Sequence, residues 1–306
     1  MAWFRRIFLF MTVNLLVMIT ISILLKVFGI GPALTTYGLD YKNLMAFCLI
    51  WGMGGSMISL ALSRFMAKQM MGVQIIDPQT RDPELQHLVQ TVYRLARAAN
   101  LPAMPEVGIY DAPEMNAFAT GPTKAHALVA VSTGLLNRMR VEEVEGVLGH
   151  EVSHIANGDM VTMTLLQGIV NAFAMFLSYA LAFVIAQMIQ GNQRNEERRS
   201  GFQNNMLVMV IRMALEIVFM ILGSLVIAWF SRYREFRADQ GGARLAGRFN
   251  MIQALEALRR NFESVQPQEN RSIQTLQISS RSGGLVELFS SHPRLEDRIA
   301  RLQSMR

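Results

Sequence analysis

Two histidines stand four residues apart in the segment GHEVSHIANGD. They are His150 and His154, and Glu151 directly follows the first of them. On a helix, residues four apart lie on one face, so both imidazoles can bind the same ion. A glutamate between them can act on a water molecule at that ion. The pattern predicts a catalytic zinc site, and the alternative is an amphipathic helix that carries two histidines by chance.

The motif supplies two ligands, whereas a catalytic zinc site has three from the protein. The longer form of the motif has a third histidine at the position of Met160, so that form is excluded. Three glutamates precede the motif on the same predicted helix, which places the site outside the bilayer. The third ligand must therefore come from further along the chain. The candidates are Asp159, Glu196, Glu197, Glu216, Glu235, Asp239 and His292.

Several of these candidates fit poorly. Asp159 is too close to the motif to fold back easily, and it is predicted to be a helix-end residue. Glu196 and Glu197 fall in a polar loop between two apolar runs. Glu216 lies within an apolar run, one helical turn from Arg212, and these two side chains can neutralise each other.

The segment SRYREFRADQ contains an acidic pair, Glu235 and Asp239, on one face of a predicted helix. One of them can bind the metal while the other holds the second nitrogen of a histidine. The alternative is an exposed acidic pair among arginines, which contributes little.

The elements that must position these residues include long apolar segments. The chain is 51% hydrophobic and only 17% charged, whereas soluble domains are nearer one quarter charged. Residues 7–25, 43–63, 161–190 and 206–230 each form an apolar run of about the twenty residues that a helix needs to cross a bilayer. We therefore expect four transmembrane helices in a mainly α-helical membrane protein.

Basic residues predict the orientation of these helices. Arginines and lysines precede the first run and follow the second and fourth, which assigns those ends to the cytoplasm. Arg194, Arg198 and Arg199 lie in the opposite loop, so the second hairpin either spans the bilayer or is shallow and lines a cavity. The net charge of +6 is consistent with a chain that lies beside anionic lipid headgroups. The arginines are scattered and form no basic stripe interleaved with aromatic residues, so nucleic-acid binding is not expected. The oligomeric state is not predicted.

The remaining segments predict a soluble domain. Asp82 and Pro83 begin a helix that runs to about residue 100, and three short strands follow in PEVGIYD, MNAFATG and HALVAVSTG. We expect four parts: a two-helix membrane anchor (1–66), the N-terminal part of the catalytic domain (67–160), a second transmembrane hairpin (161–230) and the C-terminal part of that domain (231–306).

Taken together, the motifs resemble those of a known family. The two N-terminal spans, MNAFATG, GVLGHEVSHIANGD, SRYREFRAD and SSHPRLEDRI are similar to those of HtpX, the bacterial heat-shock membrane zinc endopeptidases related to the CAAX prenyl proteases. The resemblance covers nearly the whole chain. It implies one zinc ion held by His150, His154 and Glu235, with Glu151 as general base. It also implies a cytoplasmic α+β zincin-like domain of the gluzincin type with a small sheet.

Further roles follow from the same resemblance. His292 is the candidate donor to the oxyanion, although a histidine before proline is also common as a helix cap. With Glu235 as the ligand, Asp239 is left as the outer partner of a histidine. Independently of the resemblance, Arg298, six residues after His292, is a candidate partner for Asp239. Asn116 and Ala117 are expected on an edge strand that binds the substrate backbone, and a plain core strand is the alternative.

The implied function is zinc-dependent hydrolysis of misfolded or damaged membrane proteins in quality control and stress response. The implied location is the bacterial inner membrane, with the catalytic domain facing the cytoplasm. Two alternatives stay open: a protease that processes prenylated C-termini, and an adaptor that binds zinc without proteolysis. A structural site would have four protein ligands, and this sequence offers three.

Overall fold

The computed structural model describes residues 40–191, 201–265 and 292–305, together with Ile23. The predicted first span, apart from Ile23, and the loop with Glu196 and Glu197 lie outside the described residues. The elements, in chain order, are α1 (Tyr41–Met70), β1 (Gln74–Ile75), α2 (Pro83–Ala98), β2 (Glu106–Tyr110), β3 (Ala117–Thr123), β4 (His126–Ser132), α3 (Thr133–Arg138), α4 (Val141–Asn157), α5 (Asp159–Gly191), α6 (Gly201–Leu245), α7 (Arg248–Val265) and α8 (Leu295–Ser304).

The chain divides into two compact units. One contains residues 1–58 and 164–226, and the other contains residues 59–163 and 227–306. Among the described residues, three helices are long and apolar enough to cross a membrane: Tyr41–Met70, Asp159–Ile189 and Met206–Leu245. They correspond to the second, third and fourth predicted spans. The protein is therefore a mostly helical membrane protein.

Small residues allow close helix packing in the first unit. A Cβ atom added at Gly52 of α1 would lie 2.7 Å from the backbone nitrogen of Ala172 in α5. Met53 of α1 and Phe176 of α5 are buried in the same cluster. Helices in lipid gain no hydrophobic driving force from association, so they depend on close van der Waals packing. Small residues such as Gly52 permit this packing because they let the two backbones approach each other.

The second unit contains a four-stranded sheet in the order β1-β2-β4-β3. Strands β2 and β4 are parallel, and β3 pairs antiparallel with β4. Strand β3 is therefore an edge strand of this sheet. The three strands predicted from sequence are confirmed, whereas β1 and α3 were not predicted.

Helix α4 packs against this sheet and against α2 through its apolar face. Leu148, Val152 and Ile155 of α4 are almost fully buried in a cluster with Val92 of α2 and Val131 of β4. Burial of this face fixes the rotation of α4 about its axis. His150 and His154 lie off the apolar face, so they point toward the neighbouring helices instead.

The ends of the helices follow from local sequence. Asp82 caps α2 as predicted, because its carboxylate accepts hydrogen bonds from the backbone N–H groups of Glu84 and Leu85. Helix α4 ends at Asn157, and the next residue, Gly158, caps it with a φ of 74°, in the left-handed region that glycine adopts at low cost. Helix α5 begins at the next residue, Asp159, so a single residue separates the helix of the histidine motif from α5.

Candidate metal centre

Helix α4 places the two histidines of the motif side by side. The Nε2 atoms of His150 and His154 lie 3.1 Å apart, and both residues are largely enclosed by protein. Two ring nitrogens at this distance cannot both carry protons toward each other. The geometry instead suits two lone pairs that converge on one cation.

Helix α6 brings a carboxylate to the same point. Glu235, with 3% of its surface exposed, places Oε1 3.3 Å from Nε2 of His154 and Oε2 3.4 Å from Nε2 of His150. One ligand atom from each of these three residues lies within 4.8 Å of the others. The long stretch of chain between 154 and 235 thus ends beside the motif.

These three residues fit a zinc ion. Ligand atoms at roughly 2.0–2.2 Å from a tetrahedral ion are roughly 3.3 Å from one another. The 3.1 Å between the two Nε2 atoms is close to this value, and each Nε2 atom has one of the two Glu235 oxygens at 3.3 or 3.4 Å. Oε2 of Glu235 is buried and lies 3.0 Å from Nδ1 of His292 and 3.6 Å from NH1 of Arg298, without a hydrogen bond of good geometry among the described residues. A divalent cation at this point would compensate the burial of the carboxylate more fully. Two imidazoles and a carboxylate are also a donor set that zinc prefers.

Each histidine is held on its other nitrogen by a carboxylate. Nδ1 of His150 lies 2.9 Å from Oδ1 of Asp239, and Nδ1 of His154 lies 2.6 Å from Oδ2 of Asp159. Such partners keep the proton on Nδ1 and leave Nε2 free to bind metal. Spacing left open which residue of the pair Glu235 and Asp239 would hold a histidine, and the resemblance assigned that place to Asp239. The contact of Asp159 with His154 was not predicted, because Asp159 was expected only to end a helix.

The C-terminal helix α8 completes the network. Arg298, 6% exposed, donates from Nε and NH2 to the two carboxylate oxygens of Asp239, at 2.8 and 2.6 Å. The suggested pairing of these residues is confirmed. This forked pair fixes the planar guanidinium and the carboxylate relative to each other, and Asp239 in turn fixes His150.

The carboxylates strongly favour positive charge at this centre. Burial alone would lower the pKa of His154, but its hydrogen bonds to Asp159 and Glu235 raise that pKa to about 9. Burial would also lower the pKa of His150. The hydrogen bonds of His150 to Asp239 and Glu235 outweigh this effect, so its pKa is raised as well. A site that stabilises protonated imidazoles in this way is also electrostatically suited to a divalent cation.

The predicted catalytic residues border a cavity of about 200 Å³ next to the three clustered side chains. Its lining includes Glu151 and His292 as well as Asn116 and Ala117. Nδ1 of His292 lies 3.0 Å from Oε2 of Glu235, while 67% of the His292 side chain stays exposed. The structure thus brings all of the predicted site residues into one region of the second unit.

The backbone of edge strand β3 offers hydrogen-bonding groups beside this cavity. The backbone N–H of Ser132 donates to the carbonyl of Asn116 at 2.9 Å, and Ala117 is opposite Val131 in the register. Bonded and non-bonded pairs alternate along an antiparallel ladder. The N–H and C=O of Ala117 therefore point away from β4, toward the free edge.

Ser132 fixes the turn that precedes this strand. Its hydroxyl donates to the carbonyl of Glu114 at 2.6 Å and accepts from the N–H groups of Asn116 and Leu135 at 3.0 and 3.1 Å. These bonds use the whole capacity of a hydroxyl, one donor and two acceptor positions. The only sequence feature that could have indicated this role is a serine placed directly before a short helix.

Comparison with known proteins finds a peptidase family and several proteases that are similar to this chain. The model of peptidase family M48 matches residues 79–306. A protein named Protease HtpX homolog from Bacillus licheniformis is 48% identical over 307 residues, covering 98% of this chain and 99% of that protein. Protease HtpX from Thioalkalivibrio sulfidiphilus is 46% identical over 306 residues, with the same shares covered.

One solved structure is similar in fold. The crystal structure of S. mikatae Ste24p superposes with a TM-score of 0.57 at 16% sequence identity. The match covers 96% of this chain and 66% of that longer chain. At this identity, the likeness concerns the fold alone.

Proposed function

The chain belongs to peptidase family M48, and from that premise we propose that it is a zinc endopeptidase that hydrolyses misfolded or damaged membrane proteins. It is a membrane-bound metalloprotease: the family is one of metallopeptidases, and the long apolar helices are suited to a membrane. One observation carries the more specific proposal. His150, His154 and Glu235 converge beside Glu151 and next to β3, which is an edge strand of the sheet among the described residues.

The three clustered residues hold one zinc ion per chain in this proposal. The ion, when bound, supplies a Lewis acid that polarises the scissile carbonyl and makes water easier to deprotonate. With three protein ligands, a fourth position is left for water or substrate, which separates a catalytic site from a structural one. This open position favours the protease over the zinc-binding adaptor.

Glu151 and His292 handle protons and charge in the proposed reaction. Glu151 takes the proton of the attacking water and later gives it to the leaving amine, as a general base and then a general acid. His292 donates a hydrogen bond to the oxyanion that develops from the carbonyl. The place of both side chains on one cavity supports these roles.

The substrate backbone is held extended along β3. The outward N–H and C=O of Ala117 pair with the substrate as an added strand would, and the Asn116 side chain makes a further polar contact. A folded domain does not present an extended segment, so this mode of binding selects unfolded or released chain. That requirement fits a role in quality control.

The membrane arrangement is also part of the proposal. Four spans anchor the chain in the bacterial inner membrane, and the catalytic domain, made of residues 67–160 and 231–306, faces the cytoplasm. The anchor is residues 1–66, and 161–230 form the second hairpin. The basic residues that flank the apolar runs and the bacterial origin of the relatives support this placement. Lipid and membrane-protein substrates are then the partners.

Cleavage in a purified system tests this function. Wild-type protein and Glu151→Gln are incubated in detergent with an unfolded membrane protein, with and without a zinc chelator, and zinc is then restored. We expect cleavage by the wild type only, its loss on chelation and its return with zinc. Equal cleavage by Glu151→Gln, or cleavage that survives chelation, would contradict the proposal.

A further inference from the structure

Three basic side chains surround the junction between the end of α4 and the start of α5. They are Lys124 of the β3–β4 turn and Arg234 and Arg237 of α6, and we refer to them as the junction cluster. Lys124 donates from Nζ to the backbone carbonyl of Ala156. NH1 of Arg234 lies 3.4 Å from the backbone carbonyl oxygen of Asp159. NH2 of Arg237 lies 3.4 Å from Oδ1 of Asn157. All of these residues belong to the second unit.

The positive charge of the junction cluster has no anionic partner in the described part of the chain. Its hydrogen bonds go to neutral oxygens, and no carboxylate of the described residues lies within ion-pair distance of its three cations. The carboxylate of Asp159 is already engaged, because it lies 2.6 Å from Nδ1 of His154. Guanidinium groups form their strong hydrogen bonds with anions at about 2.7–2.9 Å, so the two contacts of 3.4 Å to neutral acceptors are weak. The cluster therefore attracts an anion to residues 156–159.

Two buried donors at this junction also lack acceptors. Nε of Arg234 and Nδ2 of Asn157 are enclosed by protein and have no hydrogen-bond partner among the described residues. Such groups are uncommon in folded proteins, because a buried donor that loses its hydration needs an acceptor in exchange. A phosphate group supplies negative charge and several acceptor oxygens together. It can accept from an arginine and from an amide at the same time, so its chemistry matches both the unpaired charge and the unpaired donors.

The sequence places the junction cluster at the level of phospholipid headgroups. The apolar run of α6 ends at residue 230, so Arg234 and Arg237 follow it by about 6 and 10 Å along a helix. Asp159 directly precedes the apolar run of α5. The headgroup layer extends about 5–8 Å beyond the hydrocarbon on each side of a bilayer. Trp229, 63% exposed, marks the same boundary, as tryptophan commonly does. The phosphates of membrane lipids are therefore within reach of the cluster.

We propose that the junction cluster binds the phosphate of an anionic phospholipid and that this lipid supports the metal centre. Arg234 directly precedes Glu235 in the chain. Its guanidinium also contacts the backbone of Asp159, whose carboxylate contacts His154. A bound phosphate fixes Arg234 and thereby both of these neighbours. Lipid binding stands independently of catalysis, whereas the effect on the metal centre rests on the proposed peptidase function.

Lipid binding is measured on full-length protein in detergent by native mass spectrometry, with phosphatidylglycerol and phosphatidylcholine compared at equal concentration. Wild-type protein should retain phosphatidylglycerol selectively. Each basic residue near an anionic lipid surface contributes about fivefold in affinity, so Lys124→Gln/Arg237→Gln should bind it about 25-fold more weakly. The matched control is Arg81→Gln/Arg97→Gln, which removes the same charge from exposed positions at the two ends of α2. If the double variant does not fold, Arg237→Gln alone should bind about fivefold more weakly.

Cleavage of an unfolded membrane protein in lipid nanodiscs measures the effect on the metal centre. Wild type and the α2 control should work at least about fivefold faster with phosphatidylglycerol than with phosphatidylcholine, and the junction variant should lose this difference. Equal phosphatidylglycerol binding by the junction variant and the control would overturn the site, and displacement of the lipid by millimolar inorganic phosphate would overturn the lipid assignment. Equal cleavage in both lipids would overturn the link to the metal centre. Selective lipid binding without chelator-sensitive cleavage in any nanodisc would overturn the proposed peptidase function alone.

Discussion

Removal of Asp159 should weaken zinc binding although this residue is not a ligand. Its carboxylate lies 2.6 Å from Nδ1 of His154 and is 4% exposed, so water replaces it poorly. Without it, the imidazole can rotate or carry its proton on Nε2, the atom that faces Glu235 at 3.3 Å. Loss of such an outer partner typically costs 10–100-fold in metal affinity. For Asp159→Ala we therefore expect a loss of about 1.4–2.8 kcal/mol in zinc binding.

The assay is a competition titration of purified protein against a chromophoric zinc chelator at fixed pH. Asp82→Ala is the matched control, because Asp82 also stands at the start of a helix but caps α2. Both variants lose a helix-terminal carboxylate, which costs stability of about 1 kcal/mol at the cap of α2. Only Asp159→Ala should lose zinc affinity. A zinc Kd within about twofold of wild type, or an equal loss in Asp82→Ala, would refute the orienting role.

Two other substitutions test the substrate strand and the fold. Ser132→Ala removes the three hydrogen bonds that fix the turn at Asn116, so KM for peptides should rise about tenfold while zinc content is unchanged; an unchanged KM would count against this positioning. Glu143→Gln should lower the free energy of unfolding at pH 7 by about 1.5–3 kcal/mol, because the buried carboxylate binds Arg140 and Arg260. Burial alone would raise the pKa of Glu143, but these bonds keep it below its ordinary 4.5; the stability they contribute is present above 4.5 and is lost as the pH falls through the lowered pKa. Denaturant unfolding should therefore show a difference between wild type and Glu143→Gln that shrinks in acid, and a difference constant down to pH 3 would contradict this ion pair.

Local signals were enough to predict much of the fold. The three described spans follow from long apolar runs, α2 from its Asp-Pro start, and the three strands from short apolar runs between turns. Strand β1 has two residues and α3 has six, which is too short for a periodic pattern. The spacing of the histidines likewise predicted their placement on one helix face.

The surroundings of the site depend on contacts that spacing does not encode. Asp159 contacts His154 across Gly158, whose left-handed conformation ends α4 one residue before α5 begins. Glu235 and Asp239 were equivalent candidates by spacing alone. The rotation of α6 against α4 distinguishes them, since Glu235 faces the Nε2 atoms and Asp239 faces Nδ1 of His150. Helix rotation follows from the packing of whole faces, which a short motif does not specify.

The most direct test of the proposed centre is the zinc content of Glu235→Ala measured beside that of Glu151→Gln. Both variants are purified in the same way, metal is counted by mass spectrometry, and cleavage of an unfolded membrane protein is followed in parallel. Glu196→Ala, a matched change between α5 and α6, serves as the control and should keep both zinc and activity. We expect one zinc per chain without cleavage in Glu151→Gln, and little zinc without cleavage in Glu235→Ala, because one of only three protein ligands is lost. Stoichiometric zinc and cleavage in Glu235→Ala would contradict the ligand assignment.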